Sequence, residues 1–213
     1  MKMVNDKIET ELKKRLHYPY KWCRKQNDTW DAKSNFIYNI DRWEHLISMI
    51  EIKAREHQLN KTDFFNYAIN RWYNFWSAMA IENIFSNCNE IISNPNINNR
   101  TVDFTLQKIA FDHKSSVFPK HLNNKLTFAQ SNKRELIGWL YKNQSSQKRH
   151  HIKNKLFVIV FDKNGEHWKL KAEIKLIEKE IKNYVSNFKQ SQLQKFIFTP
   201  QTVTYSDIIW VIR

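Results

Sequence analysis

Val102-Asp-Phe-Thr-Leu-Gln-Lys-Ile-Ala-Phe-Asp-His-Lys-Ser-Ser-Val117 alternates apolar and polar side chains with a period of two, broken once near Gln107 and Lys108. That pattern predicts a β-hairpin over 101–107 and 109–117, with successive side chains on opposite faces. Asp112 and Lys114 are two apart and share a face. Asp103 lies nine residues earlier, and a tight turn brings it beside Asp112 on the neighbouring strand. Two carboxylates and an ammonium are thereby expected on one solvent-accessible patch. His113 is expected on the other face, as a packed or hydrogen-bonded histidine. Ser115 and Ser116 are weaker candidates for donating to a phosphate.

Toward the N-terminus the period changes. Residues 3–16 read as a polar helix, and 17–34, with Pro19, as an irregular connection. Ile40, Trp43, Ile47, Ile50 and Ala54 recur at helical spacing and predict a helix over 38–57. Thr62 or Asp63 is placed to cap a further helix reaching Cys88. Its aromatic bulk on all sides predicts burial on several sides. Asn94-Pro95-Asn96 breaks the chain before the hairpin.

Toward the C-terminus a helix is expected over 132–146, with Asn132 and Glu135 as a capping box. Leu156–Phe161 is a continuous apolar run suited to a central buried strand. Asp162-Lys-Asn-Gly165 reads as a turn. The stripe Leu170, Ile174, Ile177, Ile181, Tyr184 and Phe188 predicts a long amphipathic helix, and Ile208–Ile212 a closing strand. The order is helices, hairpin, helix, strand, helix, strand. It predicts an α/β fold with a mixed β-sheet flanked by helices, and a helical N-terminal part. The expected division is a helical extension over 1–60 and a main domain over 61–213.

Composition narrows the function classes. The chain has 213 residues, 41% hydrophobic and 14% aromatic, enough for a core. Its net charge of +14 points to a polyanionic partner. No apolar run is long enough to span a membrane, and the N-terminus lacks the apolar stretch of a signal peptide. A cytoplasmic protein with no membrane partner is expected. The two glycines, Gly138 and Gly165, are too few and too far apart for a phosphate-cradling loop or a dinucleotide fold. Cys23 and Cys88 have no paired spacing and are expected as buried free thiols.

The hairpin trio suits phosphodiester hydrolysis. Hard Mg²⁺ takes carboxylate oxygens and keeps waters for substrate and nucleophile. A bound metal neutralises phosphate charge and lowers the pKa of a water. A nearby ammonium stabilises charge in the transition state. The arrangement resembles the PD-(D/E)XK, or restriction-endonuclease-like, nuclease superfamily. Asp103 matches the first Asp and Asp112-His113-Lys114 the acidic-x-Lys element, while Val102 stands where that pattern has a proline. With the surrounding helices and strands the resemblance spans roughly residues 64–190. It implies Asp103 and Asp112 as metal ligands, Lys114 as the catalytic amine, and Mg²⁺ as cofactor with Mn²⁺ as a substitute. It further implies an acid on the preceding helix; Glu82 is the candidate and Glu90 its rival.

Residues 120–155 hold nine Lys or Arg and only Glu135 as an acid. They supply the candidate nucleic-acid contacts: Lys120, Lys142, Lys148 and Arg149, with Gln144 and Gln147 suggested by the resemblance. His150-His151 lacks the spacing of a zinc site. The expectation is a Mg²⁺-dependent DNA endonuclease of restriction, phage-defence or mobile-element type, with DNA preferred over RNA and a homodimer as a possible assembly. The alternative is a non-catalytic nucleic-acid-binding protein on a nuclease-like fold.

Overall fold

The computed structural model describes residues 5–26, 29–94, 102–143 and 152–213. Its helices and strands follow in the order α1 (Asn5–Lys14), α2 (Thr29–Lys33), α3 (Trp43–Glu56), α4 (Lys61–Ser86), β1 (Ile91–Ser93), β2 (Phe104–Leu106), β3 (Ile109–Val117), α5 (Leu126–Ser131), α6 (Lys133–Asn143), β4 (Lys155–Phe161), α7 (Ile174–Ser186), β5 (Gln194–Thr199) and β6 (Thr202–Ile212). The α/β class is as expected.

The hairpin is β2 against β3, with Phe104 opposite Phe111 and Leu106 opposite Ile109. Gln107 and Lys108 turn the corner with φ of 46° and 67°. Two left-handed residues match the right-handed twist of the strands, although neither is the usual Gly or Asn. Side-chain anchoring compensates: Gln107 Nε2 donates to Phe188 O at 3.1 Å, and Gln190 Nε2 donates to Gln107 O at 3.2 Å.

The six strands form one mixed sheet in the order β1-β2-β3-β4-β6-β5. β1, β2 and β3 are antiparallel neighbours; β4 runs parallel to both β3 and β6; β5 closes the edge antiparallel to β6. All seven residues of β4 are buried, as a central parallel strand requires. Helices cover both faces. Leu136, Ile137, Leu140 and Tyr141 of α6 pack with Phe157, Ile159, Phe161 and Ile208. Asp207 alternates with Ile208 and so points the other way, where Tyr184 of α7 donates to it at 2.9 Å.

The chain forms two compact units. Residues up to Ala80 with 171–175 make the first, and 81–170 with 176–213 the second. Most of α4, through Ala80, belongs to the first unit. The reason is local to the first unit: residues 66–73 of α4 are all buried there. Trp72 Nε1 donates to Ile40 O at 2.6 Å and Trp76 Nε1 to Ile37 O at 3.0 Å. Arg15, fully buried, donates to Tyr18 O, Pro19 O and the Asn70 amide oxygen. A cation so deep needs every donor used.

Several boundaries differ from expectation. Asn60, not Thr62 or Asp63, caps α4 through its Oδ1 and the Asp63 N–H at 3.0 Å. The third helix starts at Trp43, and its buried face is Trp43, Leu46, Ile50 and Ala54, with Ile47 only half-buried. The expected helix over 132–146 is α6, Lys133–Asn143, and a short helix not foreseen, α5, precedes it. Asn132 between them donates to Phe128 O rather than closing a capping box. Cys88 is buried, but Cys23 is exposed.

The 162–165 turn gives a pH prediction. The Asp162 N–H donates to His167 Nδ1 at 2.9 Å, so that nitrogen is an acceptor and the proton sits on Nε2, which faces Asn124 Oδ1 at 3.0 Å. The ring is buried, stacks on Phe161, and has its pKa lowered by burial against the opposing pull of Asp162. A proton on Nδ1 would break the Asp162 bond. The unfolded chain therefore takes up this proton at higher pH than the folded one, so stability falls as pH drops below the ordinary value of 6.5. Urea midpoints across pH 5–8 should show that slope. His167→Gln should flatten it; an unchanged slope in the variant would assign it to another group.

Candidate functional site

Parallel pairing of β3 with β4 sets Asp112 beside Lys155, and β4 with β6 sets Lys155 beside Ser206. In-register neighbours share a face, so these three side chains meet. Asp112 is 3% exposed and Lys155 1%. The Lys155 ammonium bonds Asp112 Oδ2, and Lys114 Nζ lies 3.0 Å from Asp112 Oδ1. One carboxylate thus carries two ammonium partners. Burial lowers the Lys155 pKa, against the upward pull of the Asp112 charge and hydrogen bond.

The backbone around the pair is fixed by side chains. Asp112 N–H donates to Asn154 O at 3.0 Å, while Asn154 Nδ2 donates to Ala110 O at 3.0 Å. The Lys155 N–H donates to Ser206 Oγ at 3.2 Å. Tyr141 gives its proton to Lys153 O at 2.5 Å, which leaves the 2.6 Å contact between Tyr141 and Ser206 to be donated by the serine.

Asp103 sits just before β2, at the point where that strand leaves β3. Its N–H still donates to Phe111 O at 2.8 Å. Its side chain then takes over as acceptor: Oδ2 receives the His113 N–H at 2.8 Å and lies 2.6 Å from His113 Nδ1. Burial alone would raise the Asp103 pKa, but the His113 hydrogen bonds and charge hold it down at about 2. The His113 ring is buried next to Phe85 of α4.

The structure therefore brings Asp103, Asp112 and Lys114 to one end of the hairpin, where Asp103 precedes Phe104, the partner of Phe111. It does not join the two carboxylates on a single open patch. Asp103 is tied to His113, whose ring lies on the face opposite Lys114. Asp112 is buried rather than solvent-accessible, because Lys155 on the next strand covers it. Lys114 alone of the trio is half-exposed, at 49% of its side chain.

Glu82 lies on the exposed side of α4, and Glu90 is exposed beyond it. Met79 and Ser86, three and four residues from Glu82 on the same side of the helix, are exposed as well. Neither acid joins Asp103 or Asp112, and among the described residues no three His, Cys, Asp or Glu side chains gather as a cation site. Lys120 and Lys142 are exposed, as a phosphate contact needs. Gln144, Gln147, Lys148 and Arg149, with His150 and His151, lie outside the described residues.

Lys155 is the site residue that sequence reasoning missed. It stands immediately before the apolar run 156–161 and shares parity with Phe157 and Ile159. A lysine in that position reads as a strand-end solvent contact, and only strand pairing reveals its partner 43 residues away.

Comparison of the chain with protein-family models, with curated proteins and with solved structures gives no match. Among the described residues no helix is long and apolar enough to cross a membrane.

Proposed function

We propose that this protein is a metal-dependent nuclease of the PD-(D/E)XK type, acting on DNA in preference to RNA. The observation that carries the reading is the Asp103 carboxylate held against the His113 N–H, one residue from Asp112 and Lys114. The helix, hairpin, helix, strand, helix order around it supports the same reading.

The donor set fits a hard cation in one specific way. Mg²⁺ is commonly held by one or two carboxylates with substrate oxygens and waters completing its shell. Asp103 Oδ1 has no partner among the described residues. Asp112 Oδ1 is balanced only by the half-exposed Lys114, which a cation can displace; Oδ2 stays with buried Lys155. Asp103 and Asp112 would hold the cation. When bound, it supplies charge neutralisation on the phosphate and a water of lowered pKa. The chain's own groups do the rest. His113 orients Asp103, Lys155 fixes Asp112, and Lys114, freed from Asp112, donates to a phosphate oxygen. Lys120 and Lys142 add phosphate contacts.

A second reading is favoured by one observation: Asp112 is already neutralised by two ammonium groups. A nucleic-acid-binding protein without catalysis would keep such a pair as structure alone. Incubation of the purified chain with plasmid DNA and with RNA, in Mg²⁺, in Mn²⁺ and in chelator, separates the two. Nicking or linearisation in metal and none in chelator is expected. Tight binding without cleavage in any metal would leave the binding protein.

A further inference from the structure

We infer that the surface formed by residues 120–125, α5 and α6 is a stacking platform for an unpaired base of single-stranded nucleic acid. Phe128 on α5 is 51% exposed, although it is a phenylalanine in a domain with ample core to receive it. Beside it the rings of His121 and Trp139 lie with centroids 4.6 Å apart and planes at 40°. Trp139 is only partly buried against the core under α6. His121, Phe128, Asn132, Glu135 and Trp139 surround a notch of about 60 Å³. A planar base can lie across the exposed ring faces that border it.

Charge selects the ligand class. Between 118 and 143 Lys120, Lys125 and Lys142 are exposed cations, while Lys133 pairs with Asp207 and Arg134 donates to Lys195 O over the Phe196 ring; Glu135 is the one acid in that stretch. Lys120 and Lys125 are exposed next to His121 and Leu126. Aromatic faces interleaved with cations are the means by which proteins hold single strands: the cations follow the backbone and the rings take the bases. A duplex keeps its base faces stacked on each other and cannot offer them. Glu135 at the notch accepts hydrogen bonds only, so it suits an amino edge of a base rather than a phosphate.

The inference rests on the nucleic-acid part of the proposed function and not on catalysis. Its test is therefore binding in chelator, where no cleavage interferes. Fluorescence anisotropy of a labelled oligonucleotide, single-stranded and as a duplex, is measured over a salt series for wild type, Phe128→Ala, Phe128→Trp and Lys120→Ala. Phe128 is half-exposed, and a circular dichroism melt checks that the variants fold. Phe128→Ala should weaken single-strand binding roughly 5- to 150-fold while leaving duplex affinity and the salt slope unchanged. Phe128→Trp should keep the affinity, and Lys120→Ala should lower the salt slope by about one. Wild-type single-strand affinity in Phe128→Ala, or equal loss on single strand and duplex, overturns the platform and leaves the nuclease reading standing. A wild-type protein that binds neither nucleic acid overturns both.

Discussion

Lys155→Met is expected to destabilise the protein by about 3–5 kcal/mol, a large share of a domain's stability. The substitution keeps the side-chain stem and removes only the ammonium, so packing is nearly preserved. What remains is Asp112, 3% exposed, with Lys114 as its sole cation and water excluded. A buried charge that loses its main partner is the costly case; the intact pair is worth far less than its rupture suggests. The same logic corrects an expectation from sequence. The solvent-accessible patch expected at the hairpin implies that Asp112→Asn spares the fold. With Lys155 buried against it, the amide leaves an ammonium stranded, and Asp112→Asn should also lower stability by several kcal/mol. The double variant Asp112→Asn with Lys155→Met removes both charges and should recover much of the loss. Urea denaturation of the four proteins measures the coupling directly. Additive losses in the double variant, or a Lys155→Met loss below about 1 kcal/mol, would show that the pair is solvated after all.

What the sequence made legible was what alternation and helical spacing encode. The hairpin, the buried β4 run, the aromatic α4 and the turn at Gly165 all carry their pattern within a few residues. β1 and β5 escaped because they are short. Ile91–Ser93 is three residues beside a chain break, and Gln194–Thr199 ends at Pro200 with only alternate residues half-buried. Asn70 and Arg71 of α4 are buried against partners distant in sequence, Arg15 and Asp31, which helical spacing does not show. At the candidate site, spacing correctly put Asp112 and Lys114 on one face. It also put Asp103 beside them, but not its hydrogen bond to His113. A histidine between Asp112 and Lys114 reads as a packed or hydrogen-bonded residue on the far face, with no partner named. It becomes the holder of Asp103 because β2 begins only at Phe104, leaving the Asp103 side chain to accept the next N–H of β3. Parallel pairing, which brings Lys155 to Asp112, leaves no local signal at all.

Lys114→Ala is expected to lower metal-dependent cleavage by roughly 10²–10³-fold, the scale of removing one donor to a charged transition state. It is the cleanest substitution at the site. Lys114 is half-exposed, and its loss leaves Asp112 paired with Lys155, so the urea midpoint should stay within about 0.5 kcal/mol of wild type. Affinity for DNA in chelator should fall only slightly, by one phosphate contact at most. Metal affinity should hold or rise, because the ammonium that competes for Asp112 Oδ1 is gone. Asp103→Asn behaves differently. It should lose cleavage and also metal affinity, with a stability loss of about 1–2 kcal/mol as the His113 bonds weaken. The two variants therefore separate an amine acting on phosphate from a carboxylate holding the cation, which activity alone would confuse. Wild-type cleavage by Lys114→Ala would remove it from the reaction and leave its contact with buried Asp112 as structure alone. Lost cleavage with equally weakened metal binding in both variants would instead make Lys114 part of the scaffold around Asp112, a role that its exposure argues against.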